Sequence, residues 1–422
     1  MKTAGELLPI SVLADDLTGA MDTGLQFAQR GIETVVQLHS DLAHVAPVVA
    51  VSSETRELAP SAATQRLRPL ISLLRGRRIF RKIDSTLRGN VGFELRVLLE
   101  ELAVRAIVVS PAFPQGGRIV EDGLLRVEDR PLDQSAFRAD PRWPMTQSDI
   151  CSYLMQQSGT ETGLVPLALV RQGPQQLAGA LESKRCRVIV VDAVTDADLR
   201  NTAQAIELLG PAWLPCGSAG LAQAWAQLLP ARSATKVTFP GAAQRGALAV
   251  VGTRHPAARE QVRRACATGM ARVPLNSDAV FEPAREAARM AEAALRHLNS
   301  GGDAALDATE SPLVAGGAGL VADTLAEAVR LLMQSRAVAG LFLTGGEIAV
   351  RVCQALKVRT LRLLQAIEPG IPAAQLCAPR LEDRFPVVTK AGGFGSPDVL
   401  IKSLNWLHRP EVLENASTDR SA

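Results

Sequence analysis

The chain has 422 residues, 47% of them hydrophobic, few aromatics and a formal charge of only +3. That length exceeds one ordinary core and predicts two domains, and a charge so near neutral, with no basic stripe interleaved with aromatics, excludes a typical nucleic-acid binder. Six scattered cysteines without a C-x-x-C pair and five unclustered histidines argue against a disulfide framework or structural zinc, and the absence of a leader pattern or an apolar run of about 18 residues predicts a cytoplasmic protein with no membrane contact.

Short apolar runs alternate with longer amphipathic stretches. Strands are predicted at Ile10–Ala14, Thr34–Leu38, Val48–Ser52, Ile79–Ile83 and Ala106–Ser110, with helices at Ala20–Arg30 and Val91–Leu102. Gly31 closes the first helix, as a residue that tolerates the left-handed conformation. Further strands are predicted at Arg187–Val191 and Trp213–Cys216, then a helix at Leu221–Leu229. The segment from Pro230 to Gly246 is poor in apolar periodicity and reads as a linker. A second series follows, with strands at Ala247–Val251, Ala339–Leu343, Thr360–Leu364 and Pro386–Thr389 and helices at Ala257–Ala267 and Pro283–Leu298. Asn299–Pro312 reads as a loop or edge excursion. This βαβα rhythm predicts an α/β fold of two domains, each a mainly parallel sheet flanked by helices. The expected boundaries are 1–232 and 246–408, joined by a linker at 233–245 and followed by a flexible tail at 409–422.

In open parallel sheets ligands bind beyond the carboxyl ends of the strands, so the residues there carry the functional reading. The first strand ends in Asp15-Asp16, which reads either as a helix N-cap beside a solvated acid or as a general base with a partner that orients substrate hydroxyls or a metal. "SSETR" follows the third strand and brings Glu54 and Arg56. "KIDSTLRGN" follows the fourth, with Lys82, Asp84, Ser85, Thr86, Arg88 and Asn90. "SPAFPQGGR" follows the fifth. The cations could balance the acids. Together the set suggests a pocket for a small anion bearing several hydroxyls, since guanidinium forks suit carboxylates and carboxylates suit hydroxyl donors.

The second half differs. Its strands run into "VVGTRHP", "TGGE" and "KAGGFGSPD", three glycine- or threonine-bearing turns that make a plausible polyphosphate cradle. No Walker A pattern occurs, and no G-x-G-x-x-G follows the first strand, which weakens a dinucleotide reading. His255 reads as a helix cap or a solvated side chain rather than a catalytic one. Cys216 reads as a buried structural thiol.

The segments "ADDLTGAMDTG", "KIDSTLRGNVGFEL", "SPAFPQGGRIVEDG", "CGSAGLA", "LTGGE" and "TKAGGFGSPD" resemble, in order and over nearly the whole chain, the four-carbon acid sugar kinases. The resemblance implies an ATP-dependent kinase with a sugar-acid-binding N-terminal domain and a nucleotide-binding C-terminal domain. "KIDSTLRGNVG" looks more like the D-threonate and D-erythronate branch than the 3-oxo-tetronate branch. The expected reaction phosphorylates the terminal hydroxyl of D-threonate, with D-erythronate or a 3-oxo-tetronate as alternative acceptors. Under this reading Asp15 or Asp16 orients and deprotonates the hydroxyl. Asp15, Arg56, Lys82, Asp84, Ser85, Thr86, Arg88 and Asn90 hold the sugar acid. Thr253, Thr344, Gly345, Gly346, Glu347, Lys390, Gly392 and Gly393 hold ATP, which brings Mg²⁺ through phosphates and water with no assigned protein ligands. A homodimer is the expected assembly. A non-catalytic sugar-acid sensor is the reading of another class; it would have no need for the glycine turns.

Overall fold

The computed structural model describes residues 9–38, 46–140, 142–231, 234–238, 245–311, 318–335, 337–379, 385–409 and 411–415. The chain divides into two compact units, Met1–Ala231 and Arg232–Ala422.

The first unit runs β1 (Ile10–Ala14), α1 (Leu17–Ala28), β2 (Thr34–Gln37), β3 (Val48–Ser52), α2 (Pro60–Leu73), β4 (Arg78–Lys82), α3 (Val91–Glu101) and β5 (Ala106–Ser110). A small antiparallel excursion follows: β6 (Arg118–Glu121), β7 (Leu124–Val127) and β8 (Arg130–Pro131). The chain then returns through α4 (Ile150–Ser158), β9 (Thr162–Val165), α5 (Leu167–Val170), α6 (Pro174–Ser183), β10 (Val188–Val191), α7 (Asp196–Leu209), β11 (Trp213–Gly217) and α8 (Ala219–Ala226). The sheet order is β2-β3-β1-β4-β11-β5-β10-β9, and every pairing is parallel. Helices cover both faces of such a sheet, so its strands read as unbroken apolar runs, and all five residues of β1 are buried. Trp225 on α8 locks α1 to the sheet: its ring meets Phe27 edge-on at 5.9 Å and stacks on Phe80 at 5.8 Å.

One feature of this order places the site. From β1 the chain goes outward to β2 and β3 on one side, then crosses to β4 on the other. Ala14 pairs with Ser52 on β3 and with Lys82 on β4, so the three strands end level. Their following loops therefore emerge side by side at a topological switch point.

The second unit runs β12 (Ala234–Thr238), β13 (Gly246–Val251), α9 (Pro256–Ala267), β14 (Ala271–Pro274), α10 (Pro283–Leu298), β15 (Ala304–Asp307) and α11 (Ala318–Leu332). It continues with β16 (Val338–Thr344), α12 (Gly346–Ala355), β17 (Thr360–Glu368), β18 (Ile371–Cys377), β19 (Phe385–Lys390), α13 (Val399–His408) and β20 (Glu411–Asn415). The order is β14-β15-β13-β16-β19-β18-β17. It is parallel through β19, and β18 runs antiparallel to both its neighbours. Here too the first central strand is the switch point, because β13 sits between β15 and β16.

Three sequence expectations change. The segment expected as a linker holds β12, which pairs antiparallel with β20 inside the segment expected as a tail; residues 232–233, 239–244, 410 and 416–422 lie outside the described residues. A strand of this kind takes its order from its partner, some 180 residues away, and not from its own apolar pattern. Asn299–Pro312 contains β15, which is flanked by β14 and β13 and is not an edge; its Pro312 lies outside the described residues. The helices α2, α4, α5, α6, α7 and α11 and the strands β6, β7, β8, β9, β14 and β18 were not among the expected elements. No helix among the described residues is long and apolar enough to cross a membrane.

Candidate active site

Beyond β1, Asp15 is buried and Asp16 caps α1, accepting from the Gly19 amide at 2.8 Å. The cap reading of one acid is therefore correct, but the other acid is not solvated. Arg56, from the loop after β3, grips both. Its Nε donates to Asp15 Oδ2 at 2.7 Å, its Nη2 to Asp15 Oδ1 at 2.9 Å, and its Nη1 to Asp16 Oδ2 at 2.7 Å. Lys82, the last residue of β4, lies against the first turn of α1: a Cβ on Gly19 would sit 2.6 Å from Asp16 Oδ1 and 3.0 Å from Lys82 Nζ. Gly19 is thus the residue that lets a carboxylate and an ammonium approach the helix start.

These surroundings split the two acids. Burial would raise the Asp15 carboxyl, but the charges of Arg56, Lys82 and Arg81 and the Arg56 hydrogen bond outweigh it and hold the group below the usual carboxylate range. Burial raises Asp16, and the Asp15 charge adds to it; Arg56, Lys82 and the Gly19 amide only partly offset this. The side chain of Asp15 is 3% exposed and that of Asp16 21%. Two neighbouring acids whose protonation is pushed apart are the usual signature of one structural and one proton-handling carboxylate. Asp16 is both the more basic and the more accessible.

The loop after β4 forms a second cluster. Arg88 donates to Asp84 from Nε at 2.9 Å and from Nη2 at 3.1 Å, and its Nη1 reaches Asp140 at 3.3 Å. Thr86 also donates to Asp84 through its amide and its hydroxyl. Burial works against the Asp84 charge, but Arg88 and Arg56 hold its carboxyl far below the usual range. Ser85 is half-buried beside them. Asn90 spends both amide hydrogens on the Thr55 and Leu58 carbonyls, at 2.9 and 2.8 Å, so its donors tie two loops together and are not free for a ligand. The first turn of α3 is also partly occupied, since Gln157 Oε1 accepts from the Gly92 amide at 2.7 Å. Backbone conformation is costly here. Glu54 and Leu87 both take left-handed φ, at 48° and 60°, and such strain outside glycine collects at functional loops.

Several residues that order this crevice lie outside the sequence motifs. Gln157 and Tyr153 on α4 hold the Gly89 and Leu87 carbonyls at 3.2 and 3.0 Å. Beneath the site, the fully buried Arg81 pairs with Glu94 on α3 and donates to the Leu13 carbonyl of β1 at 3.0 Å. A charged residue inside an apolar strand is the sequence signal that could have marked Arg81. Gln157 carries none.

The second unit brings together Thr253, Thr344, Gly345, Lys390, Gly392 and Gly393. Thr344 ends β16 level with Val251 and with Lys390. A Cβ on Gly392 would lie 2.5 Å from Thr253 Oγ1, and one on Gly393 2.9 Å from His255 Nε2. The glycines are required by this close approach. Gly345 stands at φ 104°, and no side chain caps α12, so the first-turn amides at Gly346 and Glu347 face outward from the strand end. Glu347 itself is exposed. His255 caps α9, accepting from the Ala257 amide at 3.2 Å through Nδ1. Gln261 on α9 holds the far side of the glycine loop, donating to the carbonyls of Phe394, Gly395 and Ser396 at 3.1–3.3 Å.

Lys390 is among the residues expected to hold ATP. It is 1% exposed, and its ammonium donates to Thr344 Oγ1, the Ala391 carbonyl and the Gly392 carbonyl at 3.2, 3.0 and 2.9 Å. Burial lowers its pKa to about 8. All three donors serve the loop, so Lys390 builds the turn. In the first unit Cys216 is buried with its thiol pushed up to about 12 by burial, which fits a structural thiol.

The sugar-binding N-terminal domain family matches residues 10–225, and the nucleotide-binding C-terminal domain family matches residues 248–400. A curated D-threonate kinase of Bordetella bronchiseptica is 35% identical over 93% of this chain and 96% of its own. The chain belongs to the four-carbon acid sugar kinase family. A D-erythronate kinase of Heliobacterium modesticaldum is 29% identical over 94% of this chain and 97% of its own. A solved structure from Salmonella typhimurium LT2 shares the fold at a TM-score of 0.80 and 22% identity, covering 94% of this chain and 98% of that one. Both family matches fall inside single units, so each crevice lies within one match.

Proposed function

We propose that the protein transfers the γ-phosphoryl group of ATP to the terminal hydroxyl of D-threonate, giving 4-phospho-D-threonate. The observation that carries this reading is the divided pair Asp15 and Asp16 at the switch point of the unit that matches the sugar-binding family. Phosphoryl transfer needs positioning and charge neutralisation more than covalent participation by the protein. Arg56 fixes both carboxylates. Asp15 stays ionised and sets the position of Arg56, while Asp16 accepts a hydrogen bond from the attacking hydroxyl and takes its proton as the new bond forms. Lys82 stands beside Asp16, and the Asp84–Thr86–Arg88 cluster borders the same crevice.

Thr253, the Gly345-Gly346 turn and the Gly392-Gly393 loop would receive the nucleotide through a hydroxyl and outward backbone amides. Mg²⁺ would arrive with ATP, held by phosphate oxygens and water.

The test is ADP release with ATP, Mg²⁺ and a panel of D- and L-threonate, D- and L-erythronate and their 2-oxo and 3-oxo counterparts. Strong turnover of D-threonate above the rest is the expected result. Preference for another acid would rename the acceptor. Silence across the panel, with a sugar acid still raising the melting temperature, would replace the kinase with a sensor.

A further inference from the structure

The "SPAFPQGGR" loop after β5 ends in Arg118, a residue the mechanism above does not use. We propose that Arg118 receives the carboxylate of the sugar acid and makes the site select acids over neutral compounds of the same length. The inference rests on the sugar-acid kinase reading and names the end of the substrate held away from the reacting hydroxyl.

The other guanidinium groups near this crevice are already paired with acids. Arg56 spends three hydrogen bonds on Asp15 and Asp16. Arg88 is held by Asp84 and Asp140. Each of these guanidinium groups already has its charge offset by two aspartates, so an incoming carboxylate would meet acids beside the cation and gain less from it than from an arginine without an acidic partner. Lys82 lies beside Asp16, at the end where the hydroxyl reacts.

Arg118 is different. Among the described residues it has no carboxylate within ion-pair distance. Its Nη1 donates only to the Gly116 carbonyl, and its Nε is buried without any hydrogen-bond partner. A buried donor left unpaired calls for an explanation. Arg81, Arg30 and Arg126 also have unpaired Nε atoms. Arg81, however, is ion-paired with Glu94, and neither of the other two shares the aromatic surface described next.

The position of Arg118 ties it to the crevice. Its guanidinium carbon lies 5.9 Å from the centre of the Phe137 ring, and that of Arg88 lies 5.4 Å from the same ring. The charges of Asp84, Glu128 and Arg88 all act on it. Glu128 is exposed and Asp84 is already bound by Arg88. The residue is also held in place beforehand. Phe113 and Arg118 exchange both backbone hydrogen bonds, at 2.8 and 3.1 Å, and close the turn. A Cβ on Gly116 would strike the Phe113 ring at 2.6 Å, so the turn is packed tight. A rigid guanidinium with uncommitted N–H groups, backed by an aromatic ring, suits a planar carboxylate. It offers a neutral alcohol much less.

The experiment compares wild type with Arg118→Gln and Arg118→Lys, using ATP with D-threonate and with D-threonamide. Arg118→Gln should raise the KM for D-threonate about ten- to a hundredfold, the range of a lost charge-assisted contact. Its KM for ATP should stay within about twofold of wild type, and its preference for acid over amide should collapse. Arg118→Lys, which keeps the charge but not the fork, should fall between. An unchanged KM and acid preference in Arg118→Gln would overturn the proposal. If the glutamine variant melts early, Arg118→Lys decides: wild-type KM and wild-type acid preference there would also overturn it. Wild type silent on every four-carbon acid would remove the kinase reading and this inference with it. Wild type active with the variants unaltered would remove this inference alone.

Discussion

The two units use the same topological position in opposite ways. In each, the first central strand is flanked on both sides by parallel neighbours that end level with it. In the first unit that position is filled by side-chain charge: Asp15, Asp16, Arg56, Asp84 and Arg88 neutralise one another through fixed hydrogen bonds. In the second it is filled by backbone: Gly392 and Gly393 bring main chain close to Thr253 and His255, Gly345 turns the chain into α12 at φ 104°, and the buried Lys390 is turned inward to hold carbonyls. A polyol acid needs donors and acceptors placed at particular atoms, which side chains supply. A polyphosphate needs many converging N–H groups, which a tight glycine turn supplies.

The sharpest way to break this contrast is Asp16→Asn. Asparagine caps a helix about as well as aspartate, so the melting temperature should barely move. Turnover should fall roughly a hundred- to ten-thousandfold, as expected for loss of a general base. Full activity in that variant would take Asp16 out of the chemistry and leave only its cap.

Next comes Arg56→Ala, which strands two adjacent carboxylates. Loss of one partner from a buried pair costs about 3–5 kcal/mol, read by chemical denaturation at neutral pH. The sign with pH follows from Asp15. Its folded pKa is held down by Arg56, so its contribution is present above the unfolded value of about 3.9 and is lost as pH falls through the folded value. Without Arg56 burial raises that carboxyl instead, so the gap between wild type and variant should narrow as pH falls toward about 4. A gap constant from pH 7 to pH 4 would show that the pair contributes by packing and not by charge.

A smaller effect is expected in the second unit from Gly392→Ala. The added Cβ would meet Thr253 Oγ1 at 2.5 Å, and overpacking of this kind costs about 1–3 kcal/mol. The KM for ATP should rise while the KM for the sugar acid holds. Equal change in both would dissolve the division of labour between the crevices. The smallest effect concerns Lys390, whose pKa is lowered to about 8 by burial. The unfolded chain binds this proton more tightly, so the group's contribution to stability rises as pH climbs from about 8 toward about 10.4. Lys390→Met should abolish that rise, seen as urea midpoints of the two proteins that diverge in favour of wild type between neutral and alkaline pH. Parallel midpoints would mean that the ammonium is not strained by its burial.

The central strands and their following loops were legible in the sequence because a strand buried on both faces is a plain apolar run. Ile10–Ala14, Val48–Ser52 and Ala106–Ser110 keep their expected bounds in the structure. The glycine turns were legible for a related reason: two glycines at a strand end have few uses. Strands such as Ala234–Thr238 and Ala304–Asp307 were not, since their order comes from partners far along the chain. The supports from Gln157 and Gln261 were equally hidden. A glutamine on a helix reveals nothing until the loop it holds is folded against it.

By itself, the sequence determined that paired acids, guanidinium groups and glycine turns would gather at strand ends, because the periodicity that defines a strand also defines where it stops. Only the tertiary structure decided what each group does there. Asp15 and Asp16 are alike in sequence, yet Arg56, Lys82 and unequal exposure push their protonation apart. Lys390 reads as a free cation, yet the Thr344 hydroxyl and two carbonyls occupy its three donors. Charge is a property of the residue, but the partners that neutralise or bury it arrive from distant segments, and so its chemistry is set by the fold.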